Sequence, residues 1–134
     1  MPLVSGTLQL HAVVFPVVAA SLDLSDGELF FDARCGRAAL PDEHSWSRRE
    51  PRLYAEGVAI DAPSGAARML ITPAMADDFA LYVWEHEPVV ACTGALRLRP
   101  DGHDVELRGV AEVMGKRVAF RLSVQLRGRR AATA

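Results

Sequence analysis

The C-terminal part of the chain alternates. Val118, Phe120, Leu122, Val124 and Leu126 are apolar, and Ala119, Arg121, Ser123, Gln125 and Arg127 stand between them. A period of two held over ten residues is that of a strand with one buried face. An amphipathic helix would space its apolar residues by three and four instead. The same alternation runs through Val90, Cys92, Gly94, Leu96 and Leu98, set against Ala91, Thr93, Ala95, Arg97 and Arg99. Between these runs, Val105 and Leu107 alternate with Glu106 and Arg108 and continue towards Val113. Pro100-Asp101-Gly102-His103 and Met114-Gly115-Lys116 join them with turn chemistry, because Gly supplies positive φ and Asp bonds its own backbone. The pattern predicts a three-stranded antiparallel meander.

The N-terminal part repeats the theme. Leu8 and Leu10 alternate with Thr7, Gln9 and His11. Pro16 is expected to restart a strand, with Val18, Ala20, Leu22 and Leu24 on one face. Ser25-Asp26-Gly27-Glu28 reads as a turn, and Leu29, Phe31, Ala33 and Cys35 as the next strand. Ala38 to Pro51 breaks the pattern with prolines and charges, and reads as a long surface loop or lid. Arg52 to Asp61 and Ala67 to Thr72 form a hairpin across Ala62-Pro63-Ser64-Gly65, and Pro73 to Trp84 admits one or two helical turns. The sum is an all-β domain over residues 1–127, with 128–134 as a disordered tail. About eight strands of this kind fit a small antiparallel barrel better than a sandwich, since closure removes exposed edges.

Composition narrows the partners. The 134 residues carry 15 basic and 17 acidic side chains, a net charge of −2, so no global field attracts nucleic acid. No apolar run reaches the roughly 20 residues of a membrane-spanning helix. Met1 to Leu10 lacks the basic start and apolar stretch of a signal peptide, so a cytoplasmic protein is expected. Cys35 and Cys92 lie far apart with no partner motif and read as reduced, buried thiols. His11, His44, His86 and His103 show no metal-ligand spacing, and His103 reads as a solvated turn residue. The chain has no G-x-S-x-G elbow and no phosphate loop, so neither a metal nor a cofactor is expected.

The strand from Arg52 to Ile60 holds the candidate chemistry. Tyr54, Glu56, Val58 and Ile60 share a face. If Val58 and Ile60 point inward, a phenol and a carboxylate enter the barrel with them. A bulge at Gly57 would turn Tyr54 and Glu56 outward, and the sequence leaves both phases open. Met69 and Phe31 are candidates for an apolar lining, and Trp46 and Trp84 for aromatic caps at a barrel mouth or for packing plugs. The alanines, together with inward glycines such as Gly94 and Gly109, point to space inside.

Gly6-Thr7-Leu8-Gln9-Leu10-His11-Ala12-Val13-Val14-Phe15-Pro16-Val17 resembles a signature of the YceI-like family, whose pattern runs roughly G-x-L-T-L-H-G-V-T-K-P-V. Gly6, Leu8, Leu10, His11, Val13, Pro16 and Val17 match, while Ala12 and Phe15 depart. Glu87-Pro88-Val89-Val90, Arg99-Pro100-Asp101-Gly102 and Leu107-Arg108-Gly109-Val110 resemble later strands of that family. The likeness implies a lipocalin-like barrel with an apolar interior that binds polyisoprenoids. In size and composition the chain is also similar to the small cofactor-free barrel cyclases of bacterial polyketide pathways, an analogy of kind only.

Two functions follow as expectations. The first is a cofactor-free cyclase of the cycloaddition type that folds a hydrophobic, polyketide-like substrate inside the barrel. Tyr54 would hydrogen-bond a substrate carbonyl, Glu56 would orient Tyr54 or act as base, and Met69, Phe31, Trp84 and Trp46 would shape the cavity. The alternative is a non-catalytic carrier of an isoprenoid or other lipid. A barrel with a fully packed interior would be neither. The expected partner is an apolar small molecule, with no nucleic acid and no membrane span, and the sequence leaves monomer and homodimer open.

Overall fold

The computed structural model describes residues 3–25, 27–59, 68–71 and 78–127, leaving aside the side chains of Leu3, Ser25, Val58, Ala59 and 68–71. The strands are β1 (Leu3–Leu10), β2 (Val13–Ser25), β3 (Glu28–Cys35), β4 (Arg52–Ala59), β5 (Arg68–Ile71), β6 (Phe79–Tyr82), β7 (His86–Arg99), β8 (Gly102–Val113) and β9 (Lys116–Arg127). All pairings are antiparallel, β7 pairs with β8, and β9 closes on β1. β5 lies against Gly94–Arg97 of β7 and β6 against His86–Pro88, so the two short strands share one place in the ring. The result is a small, closed, eight-stranded antiparallel barrel, an architecture consistent with lipocalin-like barrels. Among the described residues no helix is long and apolar enough to cross a membrane.

The C-terminal meander forms as expected, and its register sets Leu107 opposite Leu122 and Val105 opposite Val124. Met114 and Gly115 turn the chain at φ 53° and 79°, the paired positive φ of a tight hairpin. The interior is one apolar cluster that includes Leu8, Leu10, Phe15, Leu53, Leu81, Leu96, Leu107 and Leu122, each no more than 1–2% exposed. Full burial of each such side chain stabilises the fold by roughly 1.5–3 kcal/mol.

Several expectations need correction. Within Pro73 to Trp84, which admitted one or two helical turns, residues 79–82 are strand β6, and 73–77 lie outside the described residues, as do the 62–65 turn and the 128–134 tail. Pro16 does not restart a strand: β2 is continuous, and the break comes at His11-Ala12, so the Gly6–Val17 segment is a hairpin. A register shift between Val17 and Ala19 then turns Val18 outward and Ala20, Leu22 and Leu24 inward. A second shift between Val89 and Ala91 leaves Val90 exposed while Val89 and Cys92 are buried. Gly94 and Gly109 do not open a void. A Cβ at either would lie 2.0 Å from a carbonyl oxygen of a neighbouring strand, and Phe120 covers Gly109.

Candidate functional site

The two ends of the barrel differ. At the near end, residues 36–51 cross from β3 to β4 and include a 3-10 turn, Ser45–Arg48. Asp42 and Ser47 tie this segment together: the His44 N–H donates to Asp42 Oδ1 at 2.8 Å, and Ser47 Oγ donates to the His44 carbonyl at 2.6 Å. Desolvation works to raise the Asp42 carboxyl, but its hydrogen bonds with His44 and the His44 charge outweigh this and hold it below the usual range. The turn places Trp46 in the core at 4% exposure, stacked on His44, while His44 meets His11 edge-on. Arg49 donates to the Val83 carbonyl at 3.5 Å and lies over the Trp84 ring at 4.1 Å. Buried Glu87 accepts N–H groups from Val83, Trp84 and Glu85 through one oxygen, at 3.1–3.3 Å, and so fixes the β6–β7 turn. Leu10, Val13, Val83, Val113 and Val118 are all buried here. The near end is sealed.

At the far end the inward residues are less covered. Val4, Leu126, His103 and Leu98 lie side by side on β1, β9, β8 and β7. Val4 and Leu98, with Leu22 and Leu24 of β2, are apolar residues packed on the core yet only half-buried. His103 shares the inward phase of Val105 and Leu107, which corrects its reading as a solvated turn residue. Its Nδ1 is shielded from solvent and has no hydrogen-bond partner among the described residues. A shielded ring nitrogen without a partner costs on the order of 1–3 kcal/mol, which a hydrogen-bonding ligand group would return.

Outside this rim, Asp104 accepts from Arg99 on β7 at 2.9 Å and from Arg127 on β9 at 2.8 Å, pinning three strands together. Desolvation raises the Asp104 carboxyl, but the bonds and charges of Arg127 and Arg99 prevail and lower it. Half-buried apolar side chains at the same barrel end as one shielded imidazole nitrogen suit a small molecule with an apolar body and a single polar head.

The sequence candidates are dispersed. Leu53 and Ala55 of β4 are buried, so Tyr54 and Glu56 occupy the outer face. The cause is the one weighed above: Gly57 has φ 69°, and the β3–β4 register shifts beside it. The Tyr54 hydroxyl hydrogen-bonds His86 Nδ1, and Tyr82 meets the same imidazole edge-on at 5.5 Å. Arg52 lies over the Tyr54 ring at 4.4 Å while bonding Asp32 through two nitrogens at 2.8 and 3.1 Å. Phe31 is a core residue at 3% exposure and Trp84 is 41% exposed on the outside. Met69 pairs with Leu96 through the backbone, and its side chain lies outside the described residues. The structure thus joins Tyr54 to His86 and Tyr82, and separates it from Phe31 and Trp46.

Sequence reasoning missed His103, although its parity with Val105 and Leu107 carried the signal. Glu87 had no such signal, because its acceptor role depends on a turn closing over it. Comparison with protein-family models, curated proteins and solved structures returned no match.

Proposed function

We propose that this barrel is a cytoplasmic binding module that carries an apolar small molecule with one hydrogen-bonding head, held at the far end. The observation behind this reading is the contrast between ends. Trp46 is buried at one, while at the other Val4, Leu22, Leu24 and Leu98 are only half-buried and the His103 Nδ1 has no hydrogen-bond partner among the described residues. An isoprenoid alcohol has that chemistry, and a polyisoprenoid is what the likeness to YceI-like barrels implies. In the cyclase reading Tyr54 and Glu56 would assist beside a substrate folded inside the barrel, and their position on the outer face supports the carrier instead.

The test is displacement of the fluorescent apolar probe N-phenyl-1-naphthylamine by farnesol, followed by mass spectrometry of the recovered alcohol. Farnesol should displace the probe, return unchanged, and lose its hold in Leu24→Asp but not in Tyr54→Phe. Equal binding by Leu24→Asp, or conversion of a polyene substrate into a cyclised product, would overturn the carrier reading.

A further inference from the structure

A second feature lies on the outside of the wall. Gln9, Arg121, Arg108 and Thr93 are direct lateral neighbours across β1, β9, β8 and β7. All four are exposed, on the face opposite the buried Leu107 and Leu122. The adjoining row is Ala119, Val110 and Ala91, small enough to leave a groove of about 520 Å³ between the polar row and the His11 turn. That volume falls in the range of small-molecule sites, roughly 300–1,000 Å³.

The charges in this groove are not balanced. Arg108 and Arg121 stand directly opposite on adjacent antiparallel strands, where like charges repel. Arg34, Arg37, Arg52, Arg99 and Arg127 each have a carboxylate within 4.0 Å; among the described residues Arg108 and Arg121, like Arg48, Arg49, Arg97 and Arg117, have none. Glu106 occupies the next row, opposite Ser123 and Ala95, and pairs with neither guanidinium at that distance.

We propose that this groove binds a phosphomonoester with a small apolar body. A phosphate carrying about two negative charges neutralises both arginines and accepts their paired N–H groups. Gln9 and Thr93 flank it with uncharged hydrogen-bonding groups, and the Ala119–Val110–Ala91 floor takes the apolar part. The site is separate from the far-end ring, so it stands whether or not that ring carries a lipid.

Phenyl phosphate is the probe, followed by amide NMR and calorimetry on the full chain, with inorganic phosphate and phosphatidic acid vesicles as parallel arms. Phenyl phosphate should perturb Ala119 and Val110, and its affinity should fall about tenfold in Arg108→Gln or Arg121→Gln. Ala119→Phe should block phenyl phosphate while sparing inorganic phosphate, and Leu24→Asp should bind both normally. Circular dichroism of each variant separates lost binding from lost fold. The proposal is overturned if the folded Arg108→Gln/Arg121→Gln chain binds phenyl phosphate as the parent does. Binding to vesicles without binding of phenyl phosphate, or no saturable response at millimolar probe, overturns it equally.

Discussion

The indole of Trp46 lies on the imidazole of His44 with 5.0 Å between ring centroids and 25° between planes, where the chain crosses the near end of the barrel. The stack is the lid of a sealed compartment: His44 is set by Asp42, and Trp46 reaches the core between strand ends. Replacing Trp46 by Ala therefore removes an aromatic plug and leaves a void. Urea unfolding should show a loss of about 3–5 kcal/mol. Far-end binding of N-phenyl-1-naphthylamine by the folded variant should persist.

The barrel was legible because each strand alternates and each turn carries its own chemistry, as the Leu107–Leu122 register illustrates. What alternation alone cannot locate is an extra residue. The shifts at Val17/Ala19, Leu29/Phe31 and Val89/Ala91 each reverse the faces beyond them, which is why Val18, Tyr54 and Val90 point outward. Gly57 marked one of these in advance, since its φ of 69° is open to glycine at little cost. The plug was one of two readings open for Trp46, because it sits in a stretch without period; its neighbours His44 and Ser45 meet the remote His11 and Met114 turns.

Glu87 offers a sharper test of the near end. Its carboxylate answers three backbone N–H groups inside the β6–β7 turn, and no other side chain among the described residues accepts from them. Glu87→Ala leaves the Trp84 and Glu85 N–H groups without this acceptor, while Val83 keeps the Glu85 carbonyl at 3.3 Å, and should cost about 1–3 kcal/mol in thermal or urea unfolding. Glu87→Gln keeps an acceptor oxygen and should lose less. Equal losses in the two variants would assign the effect to charge or packing instead.

Both thiols should be inert in the native protein. Burial pushes the Cys35 thiol up to about 12 and the Cys92 thiol up to about 11, so little thiolate exists at neutral pH. Ellman's reagent at pH 8 should label neither until urea unfolds the chain. Rapid labelling of Cys92 under native conditions would mean that β7 opens locally.

The shielded nitrogen of His103 separates stability from binding. His103→Leu removes an unpartnered polar atom from an apolar rim, so unfolding in the absence of ligand should become no easier, and slightly harder. Farnesol, whose hydroxyl could pair with that nitrogen, should bind the variant about tenfold more weakly. Farnesene, which lacks the hydroxyl, should bind both proteins alike. Parallel losses for the two ligands would show that His103 contributes shape rather than a hydrogen bond.

The rim of the same end should report on acid. Asp104 has its carboxyl lowered in the folded protein, with desolvation opposing and Arg127 and Arg99 prevailing. A group held below its unfolded value contributes stability above that value, here 3.8, and loses it as pH falls through the folded value. The parent should therefore exceed Asp104→Asn in urea midpoint at neutral pH, and the gap should close as the pH is taken below 3.8. Because the Arg99 and Arg127 side chains are 43% and 36% exposed, added salt should also narrow the gap at neutral pH. A gap that stays constant across the acid range would mean that Asp104 acts through its second acceptor oxygen, which Asn lacks, rather than through its charge.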